Sequence, residues 1–329
     1  MTAVPKQIQI RPFRGGDREA VTCFQNRDWP PHLWETVAEW ERADARRPKT
    51  EVRLRLCAAD ADTNTAVAYL GIGDRSTSAY RKEGVCTLGL WVDRDWRRQG
   101  LGGALYERAE AFARERGAQR IQTHFRLFQS DEPALHFFRT RGFVETDREV
   151  PALLDLTTFD PAPHVRPLPE GLRLLSLAEA GDTEENRRRV YALDGLIHPD
   201  LPTHDTLPEL PDFAQWNKML QGPEFDPRAV ILAEEAQGAW VGLSVLGFQE
   251  HTHVGWTNIT GVRREWRGRG LATALKLKAI QAAKDRHCLL ILTENHEDNA
   301  PMRAVNRRLG FVADALGVTY SKEITHEHR

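Results

Sequence analysis

The sequence predicts an α/β protein made of two tandem copies of one domain. The stretches WRRQGLGGAL (96–105) and WRGRGLATAL (266–275) lie 170 positions apart and share the same spacing of an Arg and two small residues. Aligned without gaps, residues 85–105 and 255–275 are identical at nine of 21 positions. In both copies a strand-like alternation of apolar residues changes here to the period of a helix. A repeat this long indicates duplication of a whole domain, not a solenoid.

The length and one proline-rich segment predict the domain boundaries. A chain of 329 residues is long enough for two domains of ordinary size. Between the copies lies DPAPHVRPLPEGL (160–172), whose four prolines predict a semi-rigid linker. We therefore place an N-terminal domain at residues 1–159, the linker at 160–171 and a C-terminal domain at 172–329.

The first elements of each copy are predicted to be strands. QIQIRPF (7–13) opens the first copy and GLRLLSL (171–177) opens the second, and Asp17 is placed to cap the helix after the first of them. CTLGLWV (86–92) and WTNITGV (256–262) are the strands that lead into the repeated stretch. The strands between these are predicted at 52–59 and 66–71, and at 229–234 and 240–247.

A helix follows the repeated stretch in each copy. Its apolar residues recur at i, i+3, i+4, i+8 and i+11, which places them on one face. They are Leu101, Ala104, Leu105, Ala109 and Phe112 in the first copy, and Leu271, Ala274, Leu275, Ala279 and Ala282 in the second. A further strand (120–125 or 289–295) and a helix that ends at Gly142 or Gly310 complete each copy.

Composition and charge argue against several classes of partner. The net charge is -2, with 41% hydrophobic and 28% charged residues, so no nucleic-acid or membrane partner is expected. MTAVPKQIQIRPF at the N-terminus lacks the apolar core of a signal peptide. The four cysteines are far apart and have no zinc-site spacing. We expect a cytoplasmic monomer or homodimer with reduced thiols and no metal.

The repeated stretch itself predicts a phosphate-bearing ligand. Glycine at a strand–helix turn lets the backbone come close to a ligand, and the free N–H groups of the helix start bind anions. The stretch lacks the Lys of a nucleotide-binding P-loop. A dinucleotide fingerprint is also absent, because Leu105 and Thr273 stand where its third glycine belongs.

The pattern Arg-x-x-Gly-x-Gly/Ala, led in by a strand ending in Val and followed by a helix ending in Gly-Phe, resembles the GNAT superfamily of N-acetyltransferases. The resemblance covers most of both halves, as far as Gly142-Phe143 and Gly310-Phe311. It implies two tandem GNAT folds, each a mixed, mostly antiparallel twisted sheet flanked by helices. It also implies that the central strand pair splays apart to hold acetyl-CoA.

The resemblance also implies which residues bind acetyl-CoA. The pantetheine arm would lie along Leu90, Trp91 and Val92, or along Thr260, Gly261 and Val262. An Asn at the start of the next helix matches Asn299, whereas the first copy has Asp131 there, which favours the second copy for catalysis. The pyrophosphate loops would be Arg97, Arg98, Gln99, Gly100, Leu101, Gly102 and Gly103 in the first copy, and Arg267, Gly268, Arg269, Gly270, Leu271 and Ala272 in the second.

The usual acid and base of the family are missing from both copies. Cys86 and Trp256 stand where many members carry a Glu base, so the candidates for a base become Glu250 and His253, with His251 and Glu294 as alternatives. Phe138 and Asn306 stand where many members carry a Tyr acid. Asn306 could hydrogen-bond the sulfur, and a thiolate with the acidity of a free thiol can leave without full protonation.

The acceptor is expected to be a small primary amine. In the second copy the region 198–213 is rich in acidic residues and holds no Lys or Arg, so Asp200 and Asp205 are candidates to attract a cation. The resemblance implies direct transfer of acetyl from acetyl-CoA to this amine in a ternary complex. A non-catalytic acyl-CoA-binding or scaffold protein and a protein N-acetyltransferase remain the alternatives.

Overall fold

The computed structural model describes residue 5 and residues 7–47, 49–74, 84–127, 132–202, 210–249 and 251–325. It divides into two compact units, of which the first comprises residues 1–146 with 318–329 and the second residues 147–317. No helix of the described residues is long and apolar enough to cross a membrane. All four cysteines lie in described ranges and are free thiols.

The helices and strands alternate along the chain as the repeat predicts. In chain order they are β1 (Ile8–Pro12), α1 (Arg18–Asn26), α2 (Val37–Arg46), β2 (Arg53–Asp60), β3 (Ala66–Gly73), β4 (Val85–Val92), α3 (Leu101–Glu115), β5 (Arg120–Leu127), α4 (Glu132–Arg139), β6 (Val144–Glu149), β7 (Ala152–Asp155), β8 (Leu172–Ser176), α5 (Leu177–Ala180), α6 (Glu184–Ile197), α7 (Phe213–Met219), β9 (Phe225–Glu235), β10 (Trp240–Gln249), β11 (Val254–Val262), α8 (Leu271–Asp285), β12 (Leu290–Thr293), α9 (Ala300–Arg308), β13 (Val312–Ala313) and β14 (Leu316–Glu323).

Each unit is built on one mixed sheet of seven strands. The first sheet has the order β1-β2-β3-β4-β5-β14-β6, and the second has the order β13-β7-β12-β11-β10-β9-β8. The strands from β1 to β4 and from β8 to β11 pair antiparallel. β4 and β5 pair parallel, as do β11 and β12. The predicted fold class, two mixed and mostly antiparallel sheets flanked by helices, is confirmed.

Each sheet is completed by a strand from a distant part of the chain. β14, near the end of the chain, lies between β5 and β6, whereas β7 lies between β12 and β13. The compact units therefore differ from the boundaries drawn at residues 159 and 172. The proline-rich segment also belongs to the second unit, and its Leu168 packs against the core of that unit. Proline content marks irregular backbone but does not tell a linker from a segment laid over a core.

Apolar cores lie on both faces of each sheet. In the first unit α3 and α4 contribute to one core, and α1 and α2 cover the other. In the second unit α8 and α9 cover one face, and α6 and α7 the other. The predicted helix stripes lie against the sheets, with Leu105 and Leu275 fully buried at their centres. In the first sheet α1 therefore lies on the face opposite α3, and in the second sheet α6 lies on the face opposite α8.

Asp17 lies at the N-terminus of α1, as predicted, but its side chain does not cap that helix. The residue precedes the first helical residue, Arg18, and makes no side-chain hydrogen bond to that helix. Its carboxylate instead accepts hydrogen bonds from both terminal nitrogens of Arg11, at 2.8 Å each, and one from the main-chain N–H of Arg14. A buried arginine fork outcompetes the helix for this carboxylate.

A half-buried carboxylate gives a test of stability in the first unit. Asp44 on α2 accepts hydrogen bonds from Arg53 and Arg55, at 2.7 Å each, and from Arg18, at 3.0 Å. Burial alone would raise its pKa, but the hydrogen bonds from Arg53, Arg18 and Arg55 outweigh burial and lower the pKa to about 2. The ionised carboxylate therefore stabilises the folded state at every pH above its ordinary pKa.

We expect Asp44→Asn to lower the free energy of unfolding at pH 7 by about 2 kcal/mol, because the arginines lose their shared counter-charge. The unfolded chain binds the proton first, so the carboxylate's contribution is lost as pH falls from 3.8 through about 2. Urea unfolding of both proteins between pH 7 and pH 2.5 measures this. A difference that stays constant over that range would contradict the assignment.

Candidate functional site

In each unit two neighbouring parallel strands pair over only three residues. β4 pairs with β5 only at residues 85–87, although β4 continues to Val92. β11 pairs with β12 only at residues 254–256 and continues to Val262. Main-chain groups along the rest of each longer strand can then bind an extended ligand, since buried polar groups need partners. The predicted splayed pair is present in both units, with 90–92 and 260–262 in its open part.

The turn after each open strand has the same backbone conformation in both units. Gly100 and Gly270 precede their helices with φ of 85° and 78°, a left-handed conformation that favours glycine. Two residues earlier, Arg98 and Gly268 also have positive φ, at 63° and 75°. A Cβ placed on Gly268 or Gly270 would meet no protein atom within 4 Å. The turn that leads into α8 therefore has open space around both of its glycines.

The motif arginines hold this turn in place through their side chains. Arg97 Nε donates to the Val92 carbonyl at 3.0 Å, and Arg267 Nε donates to the Val262 carbonyl at 2.9 Å. Their terminal nitrogens reach carboxylates, Asp28 in the first unit and Asp200 in the second, the latter at 2.6 Å. Arg94 and Arg264, three residues earlier, bind the same two carboxylates. Each unit thus clamps its loop with an Arg-x-x-Arg pair on one Asp.

This clamp changes the expected role of Asp200. Hydrogen bonds from Arg264 and Arg267 lower the pKa of Asp200 well below the ordinary range, so its carboxylate stays ionised. The two guanidinium groups compensate its negative charge. Asp200 is therefore a poor anchor for a cationic amine, which corrects the sequence expectation. Its sequence neighbourhood holds no Lys or Arg, and only the fold brings in the two arginines. Asp205, the other acidic candidate, lies outside the described residues.

The remaining charged groups of the loops are exposed. Arg98 and Arg269 are exposed, and the Arg269 guanidinium lies 4.9 Å from the centre of the Trp266 ring. Gln99 Nε2 donates to the Asp95 carbonyl at 3.4 Å. Leu101 and Leu271, in contrast, are buried in the cores, so their side chains anchor the first turns of α3 and α8. Gly102 and Gly103 lie in the first turn of α3, and Ala272 lies in that of α8.

Asn299 begins the helix after β12. Its side-chain oxygen accepts a hydrogen bond from the Met302 N–H at 3.3 Å, so it is the N-cap of α9. The loop before it is held by His296, whose Nε2 lies 2.8 Å from Asp147 Oδ1 and whose Nδ1 accepts from the Asp298 N–H. The amide of Asn299 is thus engaged within its own helix. Asp131, its counterpart, lies outside the described residues.

The candidate acid and bases are separated by the fold. Asn306 is buried, and its Nδ2 donates to Asn295 Oδ1 at 2.6 Å, while Phe138 lies in an aromatic cluster. His253 occupies the turn before β11 with φ of 53°. It is therefore at the paired end of that strand, about 13 Å along it from Thr257 at roughly 3.3 Å per residue. The structure does not bring His253 to the open part, and Glu250 lies outside the described residues.

One buried carboxylate on the other face of the second sheet was not among the sequence candidates. Asp194 on α6 is 7% exposed, and its Oδ2 accepts a hydrogen bond from the Trp216 indole at 3.1 Å. The signal in the sequence was a lone Asp at helical spacing among Val190, Leu193 and Ile197. A charged residue on an apolar stripe is readily taken for an imperfection of the pattern.

Comparisons with known proteins agree with this geometry. The profile of the acetyltransferase (GNAT) family matches residues 18–143 and 190–311, once in each half. The chain is 29% identical to the mycothiol acetyltransferase of Thermobispora bispora over 325 residues, which cover 96% of this chain and 99% of that protein.

Two solved structures share the fold over nearly the whole chain. One is a GCN5-related N-acetyltransferase from Sphaerobacter thermophilus, with a TM-score of 0.72, 22% identity, and coverage of 98% of this chain and 97% of that one. The other is a tandem GNAT protein from the clavulanic acid biosynthesis pathway, with a TM-score of 0.77, 19% identity, and coverage of 98% and 100%. The predicted tandem arrangement is confirmed.

Proposed function

Because this chain belongs to the acetyltransferase (GNAT) family, we propose that it transfers acetyl from acetyl-CoA to the primary amine of a small molecule. The amine attacks the thioester directly in a ternary complex, without an acyl-enzyme. The observation that carries the proposal is the repeated arrangement of an open strand that leads into a left-handed glycine turn and a helix N-terminus. Such a turn binds the pyrophosphate, and such a strand edge binds the pantetheine amides.

The groups that hold acetyl-CoA are mainly main-chain atoms. The N–H groups from Gly268 to Ala272 lie at the positive end of α8, where they suit an anion. Arg269 is exposed beside them and adds charge. Arg267 acts indirectly, because its guanidinium fixes the turn through Val262 and Asp200. Thr260, Gly261 and Val262 supply the strand edge for the pantetheine arm.

The second unit is the one we assign to catalysis. In the first unit a Trp91 ring covers the open strand, since a Cβ on Gly89 would come within 2.5 Å of it. The Tyr69 ring lies 5.9 Å from that of Trp91 on the same face. The equivalent of Trp91 in the second unit is Gly261, which has no side chain. At that position Ile197 of α6 packs on the strand in place of an aromatic ring, and the Asn that matches the family pattern, Asn299, is present only in the second unit.

The acceptor class follows from the relatives and from the chemistry of acetyl transfer. The acceptor of the mycothiol acetyltransferases is the first small molecule to test, because the alignment with one such relative covers 99% of that relative's length. An ammonium must lose a proton before it can attack, since its pKa is about 10.4. Asn306, buried and held by Asn295, has no acidic proton, and its expected contact with the sulfur remains part of the proposal.

We expect acetyl-CoA to stabilise the folded protein, because a ligand that binds only the native state shifts unfolding by mass action. At 100 times its Kd the gain is about 2.7 kcal/mol, which corresponds to a rise in Tm of several degrees. Thermal unfolding with millimolar acetyl-CoA measures it, with adenosine at the same concentration as the control for the nucleoside alone. Calorimetric titration then gives the number of sites.

Turnover separates the proposed function from its alternatives. CoA release is followed with the mycothiol acetyltransferase acceptor, a panel of small primary amines and a panel of peptide N-termini. Release with small amines supports the proposal, whereas release with peptides alone indicates a protein N-acetyltransferase. Binding of acetyl-CoA without release from any acceptor indicates an acyl-CoA-binding protein. Absence of both a thermal shift and calorimetric binding would remove the proposal.

A further inference from the structure

The carboxylate of Asp194 is buried with little to compensate its charge. It belongs to the face of α6 that packs on β10 and β11, between apolar neighbours. Trp216 Nε1 is its hydrogen-bond partner, and among the described residues no other group bonds to it. Burying a carboxylate with one neutral donor costs folding free energy. Groups retained at such a cost are concentrated at functional sites.

This carboxylate lies on the part of α6 that covers the open strand. Ile197, one turn further along the same face, sits so close to β11 that a Cβ on Gly261 would come within 2.3 Å of its Cγ2. Ile259, two residues before Gly261, packs in the same cluster as Leu193. Asp194 lies on the same helix face, one turn before Ile197, the residue of α6 that packs on the strand along which the pantetheine arm is proposed to run.

The first unit lacks this group at the matching position. Asp28 and Asp200 are equivalent, because each is held by the Arg-x-x-Arg pair of its own unit. Six residues before them stand Thr22 and Asp194, both on buried helix faces and both 7% exposed. A hydroxyl thus replaces the carboxylate in the unit whose open strand is covered by the Trp91 ring. Among the described residues, the second unit is the one that has a carboxylate at this position of the helix.

We propose that Asp194 is the catalytic carboxylate of the second unit, which binds the ammonium group of the acceptor and takes its proton. This inference rests on the proposed acetyl transfer and names the residue that selects a cationic primary amine. The amine enters as an ammonium that forms an ion pair with the carboxylate. Trp216 donates to one carboxylate oxygen, and the other, which has no hydrogen-bond partner among the described residues, is the one that would bind the ammonium.

The reaction then balances without a further reagent. One proton passes from the ammonium to Asp194, and the freed lone pair forms the N–C bond to the thioester carbonyl. As the tetrahedral intermediate collapses, the C–S bond breaks and its electron pair leaves on sulfur. The second proton leaves the nitrogen for this thiolate, so the products are the amide and CoA. Asp194 returns its proton to water, which restores the carboxylate.

The surroundings of Asp194 set the direction of its pH dependence. Burial raises its pKa, while the Trp216 hydrogen bond and the nearby His198 act in the opposite sense but less strongly. His198 lies one turn on along α6, and α7 presents the Trp216 indole. From β10 and β11, Leu243, Val245 and Ile259 pack in the same cluster as α6. The acid limb of kcat/KM should therefore lie above the ordinary pKa of an Asp.

The central test is Asp194→Asn, whose amide oxygen can still accept from Trp216 and so preserves the fold. We expect kcat/KM for the amine to fall by about 100-fold or more at pH 7, the range for loss of a general base. Affinity for acetyl-CoA by calorimetry should not change. Trp216→Phe should lower kcat/KM at pH 7 and move the acid limb to higher pH, because the carboxylate loses a donor that positions it and favours its charged form.

Two further measurements separate a catalytic role from a structural one. Asp194→Asn should raise Tm at neutral pH, because it removes a buried charge, whereas loss of a structural group would lower it. Thr22→Val is the matched variant in the first unit and should leave turnover unchanged. Wild-type kcat/KM in Asp194→Asn would overturn this inference alone. No CoA release by the wild type with any amine would instead overturn the proposed function, and this inference with it.

Discussion

Gly270→Glu is expected to abolish acetyl-CoA binding in the second unit and, with it, acetyl transfer. Gly270 has φ of 78°, and its Cβ would point into open space in front of α8. A carboxylate there would lie where the pyrophosphate is proposed to bind, and would repel it. The backbone adds strain, because a residue with a Cβ resists this left-handed conformation. We expect turnover to fall by at least 100-fold.

Two matched variants separate the causes. Gly270→Ala adds the strain but no charge and should retain measurable acetyl-CoA binding. Gly100→Glu makes the same change in the first unit and should leave turnover largely intact, although it removes any acetyl-CoA bound there. Circular dichroism and Tm of each variant establish that it is folded. If Gly100→Glu abolishes turnover and Gly270→Glu does not, the catalytic unit has been assigned to the wrong half.

Gly261→Ala is expected to destabilise the second unit and disturb its open strand. The new Cβ would stand 2.3 Å from Ile197 Cγ2, 3.2 Å from its Cδ1 and 3.4 Å from its Cβ. A β-branched side chain on a packed helix cannot swing away, so α6 must move off β11. Overpacking of this kind costs about 1–3 kcal/mol. Urea unfolding measures the stability, and kcat/KM for an accepted amine reports the shift of α6.

Another glycine of the same strand provides the control. A Cβ on Gly255 would meet Ile291 Cγ1 at 3.4 Å, an ordinary contact, so Gly255→Ala should cost much less. In an Ile197→Ala background the clash is gone, and Gly261→Ala should then be nearly neutral. A double-mutant cycle gives this coupling directly. Equal costs of Gly261→Ala in the two backgrounds would show that Ile197 does not restrict this position.

Local patterns in the sequence predicted the parts of the fold that local interactions decide. The repeated turn was predictable because the left-handed residues Gly100 and Gly270 leave few alternatives to glycine. The apolar stripes of α3 and α8 were predictable because period and burial coincide. The exchange of β7 and β14 was not, because both strands keep the spacing of an unexchanged repeat. The sequence of neither strand indicates which of the two sheets it joins.

The site was predictable in its main-chain part and much less in its side chains. Glycines and helix starts are read from the chain itself, but the partners of a carboxylate come from distant elements. Asp200 looked available until the fold placed Arg264 and Arg267 against it. Asp194 was not among the sequence candidates, and only the fold shows that it is buried beside Trp216. Charge in a sequence is visible, but its compensation is a tertiary property.

The place of β14 has a consequence for the order in which this protein can mature. A ribosome delivers β1 to β6 early, yet the strand that belongs between β5 and β6 is among the last segments to emerge. Until then the first sheet keeps two open edges, and such edges are prone to pair with other chains. β7, in contrast, is synthesised before the other strands of its sheet, and it can pair only after β12 and β13 have been synthesised. The first sheet is thus the first to begin and the last to be completed. The pairing of β14 with β5 closes a loop of about 190 residues, and such non-local pairing makes folding slow.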